Sequence, residues 1–246
     1  MKIVKWIHYE SSIDELGQCY PCLHDLNGRA IKRLDATRWV REGTGEESYA
    51  LQIIFIGKTG YGKSTTLNAI IGRNLFETSD VESCTRRCQA ANFRLHLNGK
   101  DYLSLGDLPG IGESRVRDAE YLEEYRRFLG VSAVVVYLLR VDQRDFSVDE
   151  EAFRRLFVDQ AERDKVVIGL NAADKIEPLR RDNTPVPSHL QRANIDRKRC
   201  LVAALFRIPV DRVVPYSARS GWNLDILVKA VSHRLHAAKL LEEHNR

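Results

Sequence analysis

The sequence predicts a doubly wound α/β fold over residues 49–246, a mostly parallel sheet with helices on both faces. Three observations predict it. Apolar, strand-like runs alternate with amphipathic helical stretches from Ala50 onward. A glycine-rich loop lies between the first of these runs and the helical stretch after it. Short polar motifs then end the later runs, where open α/β sheets carry their ligand crevice.

The elements follow in order. Leu51–Ile56 (LQIIFI) is continuously apolar, as a strand buried on both faces should be. Ala91–Leu97 alternates through Phe93, Leu95 and Leu97, which suits a strand nearer the edge. Asn98-Gly99 signals a tight hairpin into Lys100–Leu105, so one edge strand is expected to run antiparallel. Val131–Leu139, Val166–Leu170 and Arg212–Tyr216 supply three more strands. Among the helices, Ser147-Val-Asp-Glu150 reads as a capping box ahead of Ala152, Phe153, Leu156 and Phe157 on one face. Ser188-His-Leu-Gln191 is a second box, after the proline-rich stretch Pro178–Pro187. The last helix carries Leu224, Leu227, Val228, Val231 and Leu235 on one stripe, and no internal repeat is present.

Residues 1–48 have a different texture and are read as an N-terminal helical extension and linker. They are polar and broken at Pro21. Asn27–Val40 is expected to form one helix with Ile31, Leu34 and Trp39 toward a partner surface, and Arg41–Ser48 a polar connector.

Composition narrows the class. With 246 residues, 43% apolar and 29% charged, the chain is neither disordered, collagen-like nor a disulfide scaffold. The longest apolar run, Val131–Leu139, is too short to span a bilayer, so no transmembrane segment is expected. The start, MKIVKWIHYESS, lacks the apolar stretch of a secretory leader, and a cytoplasmic protein is expected. Cys19/Cys22 and Cys84/Cys88 have the spacing of metal knuckles for a four-thiolate zinc site, set against reduced, idle thiols in that compartment. Net charge is +4, and the segment 179–212 is locally basic through Arg180, Arg181, Arg192, Arg197, Lys198, Arg199, Arg207 and Arg212. That surface would suit RNA, the ribosome or a protein effector, or is a solvated helix face.

The chemistry is concentrated in four loops. Gly57-Lys-Thr-Gly-Tyr-Gly-Lys-Ser64 fits G-x-x-x-x-G-K-[ST] with a strand before it and a helix, Ser64–Ile71, after it. Gly57, Thr59, Gly60, Tyr61, Gly62, Lys63, Ser64 and Thr65 are the candidate phosphate cradle: the glycines let the backbone curl its N–H groups inward. Lys63 is placed to bridge the β- and γ-phosphates and the Ser64 hydroxyl to bind Mg²⁺. Asp107-Leu-Pro-Gly110 supplies a carboxylate for that ion and an N–H, on Gly110, for a γ-phosphate. Asn171-Ala-Ala-Asp174, followed by Lys175, and Ser217-Ala218-Arg219 end the next strands as candidate base-binding loops. Singly, each of these is also readable as a plain turn or Asx-turn.

Together, GKTGYGKS, Thr85 in its Cys-Thr-Arg stretch, DLPG, N-x-x-D and SAR resemble the Era/TrmE/septin-like branch of the translation-factor GTPases over roughly residues 50–237. The chain looks most similar to small Era-like, ribosome-binding-type GTPases of bacterial chromosomes and prophages. The resemblance implies a three-layer G domain that binds GTP and GDP with Mg²⁺ and hydrolyses GTP. By it, Thr85 closes over the γ-phosphate and completes the metal shell with Ser64 and Asp107. Asp174 accepts two hydrogen bonds from the guanine edge, Asn171 braces the base loop, and the Ala218 N–H meets guanine O6. Lys63, Thr85, Gly110 and Arg86 are the candidate catalytic residues. Arg86 and Arg87 either reach the phosphates as a finger in cis or face solvent. The chain departs from the pattern at Ala172, where relatives place a lysine flat on the base; at Gly60, where potassium-using relatives carry Asn; and at Ile111, where Ras-like proteins carry the water-orienting Gln. Slow intrinsic turnover is therefore expected. A nucleotide-gated interaction or homodimerisation module with negligible hydrolysis, and an ATP-dependent enzyme, are the alternatives.

Overall fold

The computed structural model describes residues 6–8, 11–13, 19–21, 23–24, 30–33, 38–41, 47–76, 78, 89–94, 101–111, 125–126, 128–130, 132–179 and 184–244. In chain order the elements are β1 (Trp6–His8), β2 (Ser11–Ile13), β3 (Cys19–Pro21), β4 (Leu23–His24), β5 (Ala30–Arg33), β6 (Arg38–Arg41), β7 (Glu47–Gly57) and α1 (Lys63–Ile71). Then come β8 (Gln89–Arg94), β9 (Asp101–Asp107), β10 (Val134–Arg140), α2 (Ser147–Leu156), α3 (Gln160–Asp164), β11 (Val166–Asn171), α4 (His189–Phe206), β12 (Val213–Pro215) and α5 (Leu224–His244).

Five strands, in the order β9-β7-β10-β11-β12, pair in parallel throughout. β10 and β11 are buried at almost every position, as strands covered on both faces must be. α1 touches α5, and α2 touches α4, giving a helical layer on each face. Tyr137 of β10 packs among Phe153, Phe157 and Phe206 at centroid separations of 5.3, 6.2 and 6.0 Å, and its hydroxyl donates to the Asp149 carbonyl of α2 at 3.1 Å, so rings and one buried hydrogen bond hold these helices to the sheet. Each such buried ring contributes about 2–3 kcal/mol by removing apolar area from water.

The amino-terminal third corrects the expectation. In place of a helix over 27–40 and a connector over 41–48, the structure has the strands β5 and β6, and β7 starts at Glu47. β5 pairs antiparallel with β6, and β6 with the first residues of β7. The apparent helical period rested on three residues, whereas Trp39-Val40 and Ile31 favour extended backbone, and the early start of β7 offers an edge to pair with. At the other side β8 runs antiparallel to β9, and β1 pairs outside β8, so β8 is not the outermost strand.

The caps were half foreseen. Ser188 and Gln191 exchange both hydrogen bonds of the expected box at the start of α4. Ser147, by contrast, is already helical, and its N–H donates to Asp145 Oδ1 at 2.8 Å. An aspartate two residues upstream competes well for an exposed N–H, which displaced the expected cap. Beyond α1, Asn68 accepts from the N–H groups of Leu75 and Phe76 and donates to the Phe76 carbonyl, pinning the exit of that helix.

Candidate functional site

The carboxyl ends of the five parallel strands bring the four loops to one edge of the sheet. β7 runs into the glycine-rich loop, β9 into Asp107–Ile111, β11 into Asn171–Lys175, and β12 into Ser217–Arg219. Gly62 caps α1 at φ 86° without any side-chain cap, so the amides of the first turn stay available to an anion. A Cβ there would fall 2.6 Å from Asn171 Nδ2 in addition to the left-handed backbone, so only glycine fits. Lys63 is buried, and its Nζ donates to the carbonyls of Gly57 and Lys58, each at 3.2 Å, holding the ammonium inside the curl of the loop. Thr65 is exposed on the next turn.

The Ser64 hydroxyl donates to Asp107 Oδ2 at 2.5 Å, and Asp107 is fully buried. A hydroxyl and a carboxylate held together beside a phosphate cradle are the hard oxygen donors that Mg²⁺ takes, so these residues fit that ion. Past Asp107 the chain keeps to the glycine-rich loop: Thr59 N–H donates to Ile111 O at 3.1 Å, and Ile111 N–H to Gly57 O at 3.3 Å. Gly110 is wedged there, because a Cβ on it would overlap the Thr59 hydroxyl and backbone nitrogen. Tyr125, fully buried, donates its hydroxyl to the Pro109 carbonyl.

At the other end of the crevice Asn171 works in two directions. Its Nδ2 donates to the Tyr61 carbonyl at 3.0 Å, and its Oδ1 accepts from the Ala218 N–H at 3.0 Å. One amide thus ties the phosphate loop, the β11 loop and the β12 loop. The Ala218 N–H, expected at guanine O6, is therefore engaged with Asn171: the brace that joins the loops takes the single donor that residue has. Ser217 Oγ donates to Asp174 Oδ1 at 2.6 Å and accepts from Ser220 N–H, which orients the Asp174 carboxylate. Lys175 and Arg219 are exposed beside it, and Ala172 is buried in the left-handed region at φ 62°. Thr85 and Arg86 lie outside the described residues, as do Arg87, Cys22, Cys84 and Cys88.

Two residues absent from the sequence reading join this site. Asp149, in the first turn of α2, is buried beneath the loop; its Oδ2 accepts from Tyr61 Oη at 3.0 Å and lies 3.6 Å from Lys58 Nζ. Its Oδ1 has no hydrogen-bond partner. Burial holds this carboxyl above the usual aspartate range, against the pull of Lys58 and Tyr61. Arg140, the last residue of β10, grips both oxygens of Asp142 at 2.9 and 2.6 Å and points Nη1 at the Gly60 carbonyl, 3.4 Å away. No motif marks either residue, and the only sequence signal was an acidic residue early in a helix.

The basic segment is mostly knitted into the fold. Lys198 donates to Gln143 O and lies over the Phe146 ring, and burial holds its ammonium below the usual lysine range. Arg199 donates to the carbonyls of Val210 and Val213, Arg192 to that of Pro187, and Arg212 pairs with Asp164. Arg197 and Arg207 are exposed, while Arg180 and Arg181 lie outside the described residues.

A parallel five-stranded sheet with a phosphate loop after β7 and a buried aspartate at the end of β9 defines the class of P-loop nucleotide-binding proteins. Within that class, the chain belongs to the AIG1 family, whose profile matches residues 51–181. It is 36% identical to the uncharacterized protein YkfA of Escherichia coli (strain K12) over 79% of this chain and 67% of that one. It is also 29% identical to GTPase Der of Stenotrophomonas maltophilia over 87% of this chain and 42% of Der, so it spans two thirds or less of these relatives. Two solved structures share the fold: Aquifex aeolicus Era bound to GDP·AlF4⁻, with TM-score 0.57 and 22% identity over 74% of this chain and 56% of that one, and Arabidopsis thaliana Toc33, with TM-score 0.57 and 18% identity over 76% and 84%. Relatives it matches, Der and Era among them, are named GTPases. No helix among the described residues is long and apolar enough to cross a membrane.

Proposed function

We propose that the chain is a Mg²⁺-dependent GTP switch with slow intrinsic turnover, working in the cytoplasm. The observation that carries this reading is the Asn171 brace, which makes the phosphate loop and the base loops one unit, so that one nucleotide spans both. Lys63 would neutralise the β- and γ-phosphates, with Ser64, Asp107 and Thr85 as ligands of the metal. A bound Mg²⁺ would supply charge neutralisation for the phosphates. Asp174, oriented by Ser217, would accept the N1–H and 2-amino protons of guanine. Gly110 would report the γ-phosphate, because the Thr59–Ile111 and Ile111–Gly57 hydrogen bonds join its loop directly to the cradle.

Slow turnover is supported by Ile111, a buried aliphatic residue at the position that orients water in Ras-like proteins. Single-turnover hydrolysis of radiolabelled GTP tests this. A slow, Mg²⁺-dependent rate supports the switch, and rapid hydrolysis by the isolated protein defeats it.

A second reading, a nucleotide-gated dimer, draws on a structure of Toc33 and Toc159 described by dimerisation being important for GTPase activity. A rate per subunit that climbs with protein concentration would favour it. An RNA target, as in the solved complex of Era with a 16S ribosomal RNA segment, finds little support in the basic segment, since most of its described cations bond within the fold.

A further inference from the structure

Arg140 closes β10 directly opposite Asn171 of β11, and the next N–H, that of Val141, donates to the Asn171 carbonyl at 2.8 Å. The side chain therefore rises from the strand between the phosphate loop and the base loop. Three contacts fix it: two bonds to Asp142, and the approach of Nη1 to the carbonyl of Gly60. Its side chain is 28% exposed, so these contacts leave it partly open. Asp174 lies in the loop that follows Asn171, and its charge favours the Arg140 cation. Ala172, next to Asn171 in the same loop, offers a base no more than a methyl group.

We infer that Arg140 forms the wall against which the guanine ring lies, its guanidinium plane taking the base face that Ala172 leaves uncovered. This rests on the guanine-nucleotide reading of Asp174. A guanidinium is planar, weakly hydrated and stacks readily on flat π-faces. Asp142 holds that plane in one orientation, so little side-chain freedom is lost when a base arrives. The neighbouring strand end thereby supplies from β10 what a long residue at 172 would supply from β11.

The test is nucleotide binding by the full chain with Mg²⁺, using fluorescent GDP displaced by GTP, GDP, ATP and base-free ribose 5′-triphosphate. Arg140→Ala should weaken GTP and GDP alike by about tenfold, a typical size for one base stacked on a side chain. Base-free triphosphate should bind the variant and the native protein equally. Arg140→Lys, which keeps charge but not the plane, should fall between. Arg140→Ala combined with Ala172→Lys should recover most of the loss, since either residue can cover the same face. A larger loss for GTP than for GDP would move Arg140 to the phosphates and overturn the inference, as would no loss, or a folded double variant without recovery. If the double variant does not fold, the base-free triphosphate decides: weakening equal to that of GTP refutes the stack. Failure of the underlying reading looks different, because ATP would then compete as well as GTP on the native protein.

Discussion

Tyr61→Phe removes one oxygen from a buried tie between the phosphate loop and α2. In the native protein the phenol donates at 3.0 Å to Asp149 Oδ2, whose carboxylate is sealed from solvent and has Lys58 Nζ 3.6 Å from the same oxygen. A hydrogen bond to a charged acceptor contributes about 1.5–3 kcal/mol, and a buried acceptor left unpaired bears the full loss. For a chain of this size each kcal/mol moves Tm by about 2–4 °C, so a drop of roughly 4–10 °C is expected near pH 8. The pH dependence carries a sign. Burial raises the Asp149 pKa in the folded state, so stability from this group is greatest below the ordinary aspartate value and declines as pH rises through the raised one. The Tyr61 hydroxyl opposes that rise. Its removal lifts the folded pKa further and deepens the decline, so the difference between variant and native should be small below the ordinary aspartate value and grow as pH rises through the raised one. Calorimetry across that range is the assay. Equal Tm values at pH 8, or a difference that does not change with pH, would refute the tie.

Lys63→Ala takes the ammonium from the curl of the loop and should weaken GTP by at least tenfold; unchanged affinity in a titration would remove the phosphate-cradle assignment. Asp174→Asn exchanges one acceptor oxygen for a donor, so the variant should lose GTP and gain xanthosine triphosphate, whose 2-carbonyl an amide can pair; competition among GTP, ATP and xanthosine triphosphate reads this, and persistent GTP preference would contradict it. If the basic segment meets nucleic acid, it does so through its exposed cations, so Arg197→Glu with Arg207→Glu should flatten the dependence of RNA binding on salt. An unchanged slope would mark both as solvated surface.

The parallel strands were legible because strands covered on both faces leave continuous apolar runs, and LQIIFI and VVIGL are short enough to exclude helices. The loop at Gly57–Ser64 was legible because its glycines answer a local demand of the backbone. What stayed hidden depends on distance along the chain. Tyr61 and Asp149 are 88 residues apart, Arg140 and Gly60 are 80 apart, and nothing local announces either meeting. The strands β5 and β6 were missed for the same reason, since an antiparallel pair takes its stability from a neighbour such as β7 rather than from its own period. Lys198 and Arg199 misled differently: counting charge treats every cation as outward, while these two cap carbonyls inside the fold.

The double engagement of Asn171 also narrows what heredity can try there. Aspartate has the right reach but cannot donate to the Tyr61 carbonyl; serine and threonine stop short, and glutamine carries its amide one methylene too far. Each replacement releases at least one of the joined loops, and Gly62 lies so close to the amide that a bulkier neighbour is barred as well. Among descendants of this sequence, drift at 171 and 62 should be nearly closed, whereas the exposed surface of α4 is free to wander.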